Sequence, residues 1–248
     1  IAIEESHALN TALEVVEGME FDRGWVSPYF VTDGERMESV LDNAHVLITD
    51  MRIEWTKDIF PLMEQIKKES DRPLLVIAEE IAGEGLHTLL QNKVNGKFLS
   101  CAILCPGFGD RRRALLEDIA VLTGGQLIGA DTGIALKKVG LDQLGSIHKA
   151  IVTQGSTTLI AELDEDRKLV VAGRVELIRA GLAAAENGYD KEKYRERLSK
   201  LAGGVAIIKV GAATESELKE KKFRVEDAMH ATRGAVAEGI VPGGGMAL

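Results

Sequence analysis

The sequence has few aromatic residues, little cysteine and no long apolar stretch. Phe, Trp and Tyr make up 4% of its 248 residues, and Cys101 and Cys105 are its two cysteines. No stretch approaches the roughly 18–20 consecutive apolar residues of a membrane-spanning helix, so no membrane partner is predicted. The two cysteines lie four apart in a predicted strand, too far apart for a disulfide. They are therefore predicted to be buried thiols in a reducing compartment.

An excess of positive charge is also missing. The sequence has 39 acidic and 30 basic residues, which gives a formal net charge of -9. This balance argues against nucleic acid as a partner, because phosphate binding needs clustered Lys and Arg. The basic run 111–113 lies among Asp110, Glu117 and Asp118, which is typical of a solvated helix surface. The five histidines lack metal-ligand spacing, so no metal site is predicted.

The first half of the chain alternates short apolar runs with amphipathic helical patterns, which indicates an α/β layer architecture. The predicted fold class is α/β, with sheets flanked by helices and a second, small α/β domain that contains a long helix. From 126 to 171 the pattern is irregular and predicts short strands and turns. In the first half, strands are predicted at 46–49, 74–78 and 98–105, and helices at 57–68, 84–94 and 111–123.

Beyond Gly173 the sequence becomes helical and strongly charged. Thr214 and Glu217 form a predicted capping box at the start of a long helix that runs to Gly239. Pro242 and the glycines that follow it end this helix. Helices are also predicted at 175–186 and 190–202, with a strand at 205–210.

Eight segments, spread over essentially the whole chain, match one known family in order and spacing, and through them the sequence resembles the group I (GroEL-type) chaperonins. They are VVEGMEFDRG (15–24), SPYF (27–30), LVIAEE (75–80), PGFGDRR (106–112), DIAVLTGG (118–125), LAGGVA (201–206), VGAATE (210–215) and RVEDA (224–228).

The resemblance implies a chaperone that binds non-native polypeptides and a co-chaperonin mobile loop in an apolar groove. It also implies sister subunits in a heptameric ring, and a location in the bacterial cytoplasm, the mitochondrial matrix or the plastid stroma. The implied organisation is an apical domain at 18–203, intermediate-domain segments at 1–17 and 204–238, and the start of an equatorial segment at 239–248.

ATP and Mg²⁺ are the cofactors of the full-length family. The family's equatorial phosphate-binding loop and its Gly-Asp-Gly-Thr-Thr motif do not occur in this sequence. The chain therefore reads as a segment of a longer protein, and by itself it is expected not to hydrolyse ATP.

The implied groove lies between two helices. The spacing of Leu86, Leu89 and Leu90 supports this independently as an i, i+3, i+4 stripe. The alternative interpretation of each stripe is ordinary core packing, although the first helix carries more apolar residues than one packed side needs. Gln91 and His87 depart from the family pattern and make the groove more polar. The implied polypeptide-binding residues are Trp25, Tyr29, Phe30, Ile59, Phe60, Met63, Leu86, Leu89, Leu90 and Gln91.

Further roles follow from the resemblance alone. Asp227 would orient the attacking water and Gly244 would contact nucleotide, both only in the full-length protein. Gly18, Gly203 and Gly204 match a hinge between domains. Arg23 and Glu215 match a pair that bridges neighbouring subunits.

Two alternative functions stay open. The loop 106–109 could serve a stand-alone α/β enzyme that binds a nucleotide or phosphate, although it lacks the Lys-Ser/Thr ending of a phosphate loop. The chain could also be a protein-binding module without a chaperone cycle.

Overall fold

The computed structural model describes residues 1–6 and 8–241, with the side chains of Asp110, Ala130, Arg233 and Ala237 left out. Gly244 and Pro242 lie outside the described residues. In chain order the elements are β1 (Ala2–Ser6), β2 (Ala12–Val16), β3 (Gly18–Phe21), β4 (Ser39–Thr49), β5 (Arg52–Ile53), α1 (Thr56–Glu69), β6 (Leu74–Ala78), β7 (Glu80–Ile81), α2 (Gly83–Val94), β8 (Ser100–Leu104), α3 (Asp110–Thr123), β9 (Leu127–Ile128), β10 (Gly145–Val152), β11 (Thr157–Ile160), α4 (Glu165–Ala184), α5 (Gly188–Ala202), β12 (Val205–Gly211) and α6 (Glu215–Glu238).

The chain divides into two compact units. One comprises Ile1–Val15 and Ala206–Leu248, and the other comprises Val16–Val205. The chain passes from one unit to the other after residue 15 and again after residue 205. The domain boundaries predicted from the sequence, after residues 17 and 203, each lie two residues from one of these points. In the first unit, β12 lies between β1 and β2, β1 runs parallel to β12, and α6 packs against β1.

The second unit is built on a mixed sheet with the strand order β3-β11-β10-β4-β6-β8, and β9 pairs with β4. Strands β4, β6 and β8 are parallel, whereas β10, β11 and β3 are antiparallel. Because α1 and α2 connect adjacent parallel strands in the same direction, right-handed crossovers place both helices on one face. Helix α3 runs back from β8 to β9 and so covers the opposite face. The predicted α/β fold class is confirmed.

Covering both faces explains the apolar runs that the sequence shows. All five residues of β6 are buried, as are the last four residues of β4. Parallel strands that are buried on both faces need apolar side chains at every position rather than at alternate ones. The run at 46–49 is only the end of β4, which extends back to Ser39 with alternating burial.

The two cysteines lie in this core as free, buried thiols, as the sequence predicts. The Cys105 thiol donates a hydrogen bond to the Thr49 carbonyl at 3.2 Å. Burial raises the pKa of Cys101 and that of Cys105 to about 12, because the thiolate would lose its hydration. Both side chains therefore act as small apolar residues.

One sequence-based boundary is wrong by a full ten residues. Helix α4 begins at Glu165, not at residue 175, and the Asp164 carboxylate caps it by accepting the Arg167 N–H at 2.8 Å. Aspartate at the N-cap is a known start signal. Gly173, which suggested a break, lies exposed inside the helix, where glycine costs only about 1 kcal/mol.

The start of α6 agrees with the sequence. The Glu217 N–H donates to the Thr214 hydroxyl at 3.3 Å. The return bond differs by one residue from a capping box, because the Glu217 carboxylate accepts the N–H of Ala213 at 3.4 Å. Across the described residues, no helix is both long and apolar enough to cross a membrane.

A buried ion cluster ties α3 to the helical pair α4–α5. Asp118 on α3 is fully buried, not on a solvated surface as the sequence suggested. Its carboxylate accepts hydrogen bonds from Arg174 at 2.7 Å and from Arg197 at 2.7 and 2.9 Å. Burial opposes the charge of Arg174, but hydrogen bonds to Asp118 and Glu117 outweigh it and raise the Arg174 pKa.

Replacing Asp118 with Asn should destabilise the second unit strongly. Two arginines would lose a buried counter-charge, which typically costs about 3–5 kcal/mol of unfolding free energy. Urea denaturation measures this change. The control is Glu196→Gln, which removes a half-exposed partner of Lys193 and Lys200 and should change stability by less than about 1 kcal/mol. Equal effects of the two substitutions would contradict the assigned cluster.

The two thiols should resist modification in the native state. With a pKa of about 12, about one thiol in ten thousand is ionised at pH 8, and burial also blocks the reagent. Labelling should become fast only in urea. The unfolded thiols ionise near pH 9, whereas the folded thiols stay neutral, so their contribution to stability is complete below about pH 9 and is lost as the pH rises towards 12. Rapid labelling without urea would show that the strand β8 is open.

Candidate functional site

Helices α1 and α2 pack side by side on one face of the sheet. Near the start of α1, the Thr56 hydroxyl lies 3.0 Å from that of Thr88 on α2. The Gly85 N–H donates to the Glu54 carbonyl at 2.9 Å. A Cβ at Gly85 would come within 2.9 Å of the Ile53 side chain, so glycine is what allows this close approach. The outer side of this helix pair is here called the α1–α2 surface.

Most apolar side chains of α1 point into the core. Ile59 and Met63 are buried, and so are Leu62 and Ile66. Phe60 remains 39% exposed. The other four are covered because α1 packs on the sheet and also contacts the short 3-10 helix Leu136–Lys138. The expectation that α1 keeps a second apolar side free therefore holds only for Phe60 among these five residues.

Helix α2 divides its predicted residues in the same way. Leu89 is fully buried, whereas Leu86 and Leu90 are half-buried and pack on the edge of the core. Gln91 and His87 are exposed. One member of the leucine stripe therefore lies in the core, and the other two lie half-buried at its edge.

The segment 25–30 lies beside α2 and ends in a short 3-10 helix, Pro28–Phe30. Tyr29 is 68% exposed, whereas Phe30 is completely buried. Trp25 is half-buried, and its indole N–H donates to the Met37 carbonyl at 3.3 Å. The Lys93 ammonium on α2 donates to the Val31 carbonyl at 2.5 Å, which fastens the segment to the helix. Loss of hydration lowers the pKa of Lys93.

The sequence-based set missed Trp55, which directly precedes α1 and is 52% exposed. Its backbone N–H donates to the Asp58 carboxylate at 3.2 Å, and the Lys57 ammonium lies 5.5 Å from its ring centre. The sequence did offer a signal for Trp55. Aromatic residues are scarce, and this residue is one of only two tryptophans and adjoins a predicted helix start.

The α1–α2 surface therefore presents apolar groups of different shapes above a packed core. Exposed Phe60 and Trp55 accompany half-buried Leu86 and Leu90, with Tyr29 on the adjoining segment. Exposed apolar surfaces of this kind are typical of sites that bind other molecules.

The predicted hinge glycines have different local roles. Gly18 is buried, and a Cβ there would meet the Leu159 carbonyl oxygen at 2.4 Å and the Val205 side chain at 2.7 Å. Gly204 has a φ of 65°, which favours glycine, whereas Gly203 has a φ of -77°. Close packing explains Gly18, and backbone conformation explains Gly204.

The remaining predicted residues lie apart from the α1–α2 surface in the chain. The Arg23 guanidinium lies 5.3 Å from the ring centre of Phe108, in the second unit. In the first unit, Glu215 pairs with Lys219 at 3.2 Å, and Asp227 is exposed on α6.

A cleft of about 790 Å³ adjoins the loop 106–109, which the enzyme hypothesis would use. Its charged lining is of mixed sign, with Arg111 and Lys193 beside Asp190 and Glu196. The Arg111 guanidinium stacks 4.0 Å from the ring centre of Tyr189. A phosphate site needs converging positive groups, and the three carboxylates of the lining, Glu186, Asp190 and Glu196, work against one here.

Comparison with known families identifies the chain. The model of the TCP-1/cpn60 chaperonin family matches residues 2–248, which is almost the entire sequence.

Replacing neighbouring residues of α1 should separate its core side from its exposed side. Ile59→Ser leaves a cavity and a buried hydroxyl and should cost about 2–5 kcal/mol of unfolding free energy. Phe60→Ser should cost less than about 1 kcal/mol, because this side chain is partly solvated already. Chemical denaturation of both variants measures the difference. Similar losses would mean that the helix is rotated relative to the described packing.

Proposed function

We propose that this chain, which belongs to the TCP-1/cpn60 chaperonin family, uses the α1–α2 surface to bind non-native polypeptides. Family membership gives the chain a general role as a chaperone in protein folding, with client polypeptides as partners and assembly into an oligomer. It argues against a stand-alone nucleotide-binding enzyme. The proposal adds where on this chain the clients bind and which side chains contact them.

The observation that carries the proposal is the exposure of apolar side chains along two packed helices. Each aliphatic or aromatic group that a client covers contributes about 1.5–3 kcal/mol before ordering costs. An aromatic ring, a thioether or a branched chain on a client could each pack there, because the surface has few groups with fixed directionality. Binding without sequence selection follows from this lack of directional groups.

Burial divides the implied binding residues into two roles. Trp25, Tyr29, Phe60, Leu86, Leu90 and Gln91 reach the surface and would contact clients, together with Trp55. The buried residues would support the surface from below and hold the two helices at a fixed separation. These supporting residues are Phe30, Ile59, Met63 and Leu89.

We place the chain in group I of the family, with Val16–Val205 as its apical domain and the other unit as part of the intermediate domain. A co-chaperonin mobile loop would then compete with clients for the α1–α2 surface, adding as an extended segment. Repetition of the surface around a heptameric ring would strengthen weak contacts through effective concentration. The bacterial cytoplasm or an organelle matrix or stroma is the proposed location.

The remaining resemblance-based roles concern motion and the subunit contact. Gly18 and the pair Gly203–Gly204 lie close to both chain crossings between the units, where a rigid-body swing would need its pivots. Arg23 and Glu215, on different units, would pair between neighbouring subunits. An exposed pair of this kind adds little stability, so it would act as a latch.

The resemblance assigns nucleotide-related roles to Asp227 and Gly244. Asp227 is a single exposed carboxylate, and in the described part of the chain no three His, Cys, Asp or Glu side chains cluster as metal ligands. Gly244 lies outside the described residues.

The double variant Phe60→Ser/Leu90→Ser should lose binding to a chemically unfolded model protein by about tenfold or more, because two apolar contacts disappear. Fluorescence anisotropy with a labelled, reduced and unfolded protein measures the affinity, and circular dichroism checks the fold. Phe108→Ser is the matched control, since it removes an exposed phenylalanine from another element.

The control should bind like the wild type. Equal binding by the double variant and the wild type would place the client surface elsewhere. A peptide with an apolar co-chaperonin loop sequence should displace the client from the wild type. If it binds without displacement, clients and cap use different surfaces.

A further inference from the structure

Helix α4 carries a second apolar side that no part of the described second unit covers. Its inner side, with Val171, Val175 and Ile178, is buried against the rest of the unit. On the opposite side, Leu169 is 72% and Leu177 is 67% exposed. The outer stripe, as we name this exposed side, consists of Leu169, Val170, Gly173, Leu177, Ala180 and Ala184.

The spacing of the outer stripe places its residues along one line of the helix. Leu169, Gly173 and Leu177 are four apart, and Ala180 and Ala184 continue the same side over the last two turns. A Cβ built on Gly173 meets nothing within 4 Å, so the chain's own packing does not require glycine at this position. A small residue midway between two leucines allows another helix to approach closely.

Charged residues border the outer stripe in a symmetric order. Glu165, Lys168, Glu176 and Arg179 lie on one flank, and Ala172 lies midway between them. The steps between these five positions are three, four, four and three residues. The spacing of the flank is therefore the same from either end of the helix. From the N-terminal end the charges follow the order negative, positive, negative, positive, and from the C-terminal end they follow the opposite order.

This reversal of charge order indicates that a second copy of the same helix, running in the opposite direction, would present complementary charges to the flank. An antiparallel copy of α4, related by a two-fold axis near Ala172 and Gly173, would set Glu165 opposite Arg179 and Lys168 opposite Glu176. Each of these two charge pairs would occur twice in the dimer, because each copy supplies both the negative and the positive residue of the pair. In a parallel pair related by a two-fold axis, the two copies of this flank would lie on opposite edges of the contact, so these charges would not meet.

We propose that the outer stripe is a docking surface for a second copy of this chain, packed with the two α4 helices antiparallel. The axis would bring the two Gly173 residues together and set Leu169 of one copy near Leu177 of the other, with the charged flanks beside them. The present bonds within the helix, Lys168 to Glu165 at 2.9 Å and Arg179 to Glu176 at 2.6 Å, leave these groups exposed and able to accept a second partner. The proposal does not depend on client binding.

The contact should be weak for an isolated pair of chains. One helix pair buries less than the about 1,200 Å² at the lower end of stable interfaces. Dimers should therefore appear only at high protein concentration.

Sedimentation velocity over about 10 to about 500 µM protein tests the proposal. The average mass of the wild type should rise with concentration, and Leu177→Glu should reduce the apparent association constant at least about tenfold. Val236→Glu, an equivalent change at an exposed residue of α6, is the control and should associate like the wild type. Unchanged association of the Leu177 variant overturns the proposal.

Charge reversal tests the antiparallel arrangement specifically. Lys168→Glu and Glu176→Lys should each weaken association several-fold, because like charges then face each other across the axis. The double reversal restores opposite charges and should recover most of the wild-type association. If the double variant is as weak as the sum of the single ones, the antiparallel arrangement is wrong.

A cross-link gives an independent readout of the geometry. Ala172→Cys places a thiol next to the proposed axis, and mild oxidation should yield a covalent dimer. Glu192→Cys on α5 is the control and should give little dimer. Equal cross-linking of both variants contradicts the proposal. So does a Leu177→Glu variant that keeps its mass distribution but loses binding to unfolded protein, because the outer stripe would then belong to the client surface.

Discussion

The need to cover both faces of the parallel strands β4, β6 and β8 governs the second unit. Strands β6 and β8 and the last four residues of β4 are mostly apolar and buried, so helices must lie on either side of them. Helices α1 and α2 supply one cover and α3 the other. The α1–α2 surface is the part of that cover that core packing does not use.

A polar interaction completes the opposite side. Asp118 lies buried on α3 and holds an arginine from α4 and another from α5. The helical pair is thus positioned by charge as well as by apolar contacts. This arrangement fixes the inner side of α4, and it is the reason that the outer stripe of α4 faces away from the unit.

Two exposed apolar surfaces on one unit have different chemistry. The α1–α2 surface combines aromatic rings, leucines and an exposed glutamine, with few bordering charges of defined order. The outer stripe is narrow, has small residues and is bordered by charges in a self-complementary order. The first suits many partners of no fixed sequence, and the second suits one partner of defined geometry.

The sequence alone determined the α/β class, the apolar strand runs, the buried thiols and the family, because each depends on local pattern or on collinear motifs. It did not determine which apolar residues of α1 and α2 face outward. Phe60 and Ile59 are neighbours of similar hydrophobicity, and only contacts with the sheet and with residues 136–138 decide that one is exposed and the other buried. The environment of Asp118 was equally hidden, since its arginine partners are 56 and 79 residues away along the chain. Helix periodicity restricts the faces of a helix, but tertiary packing selects the face that remains available for binding.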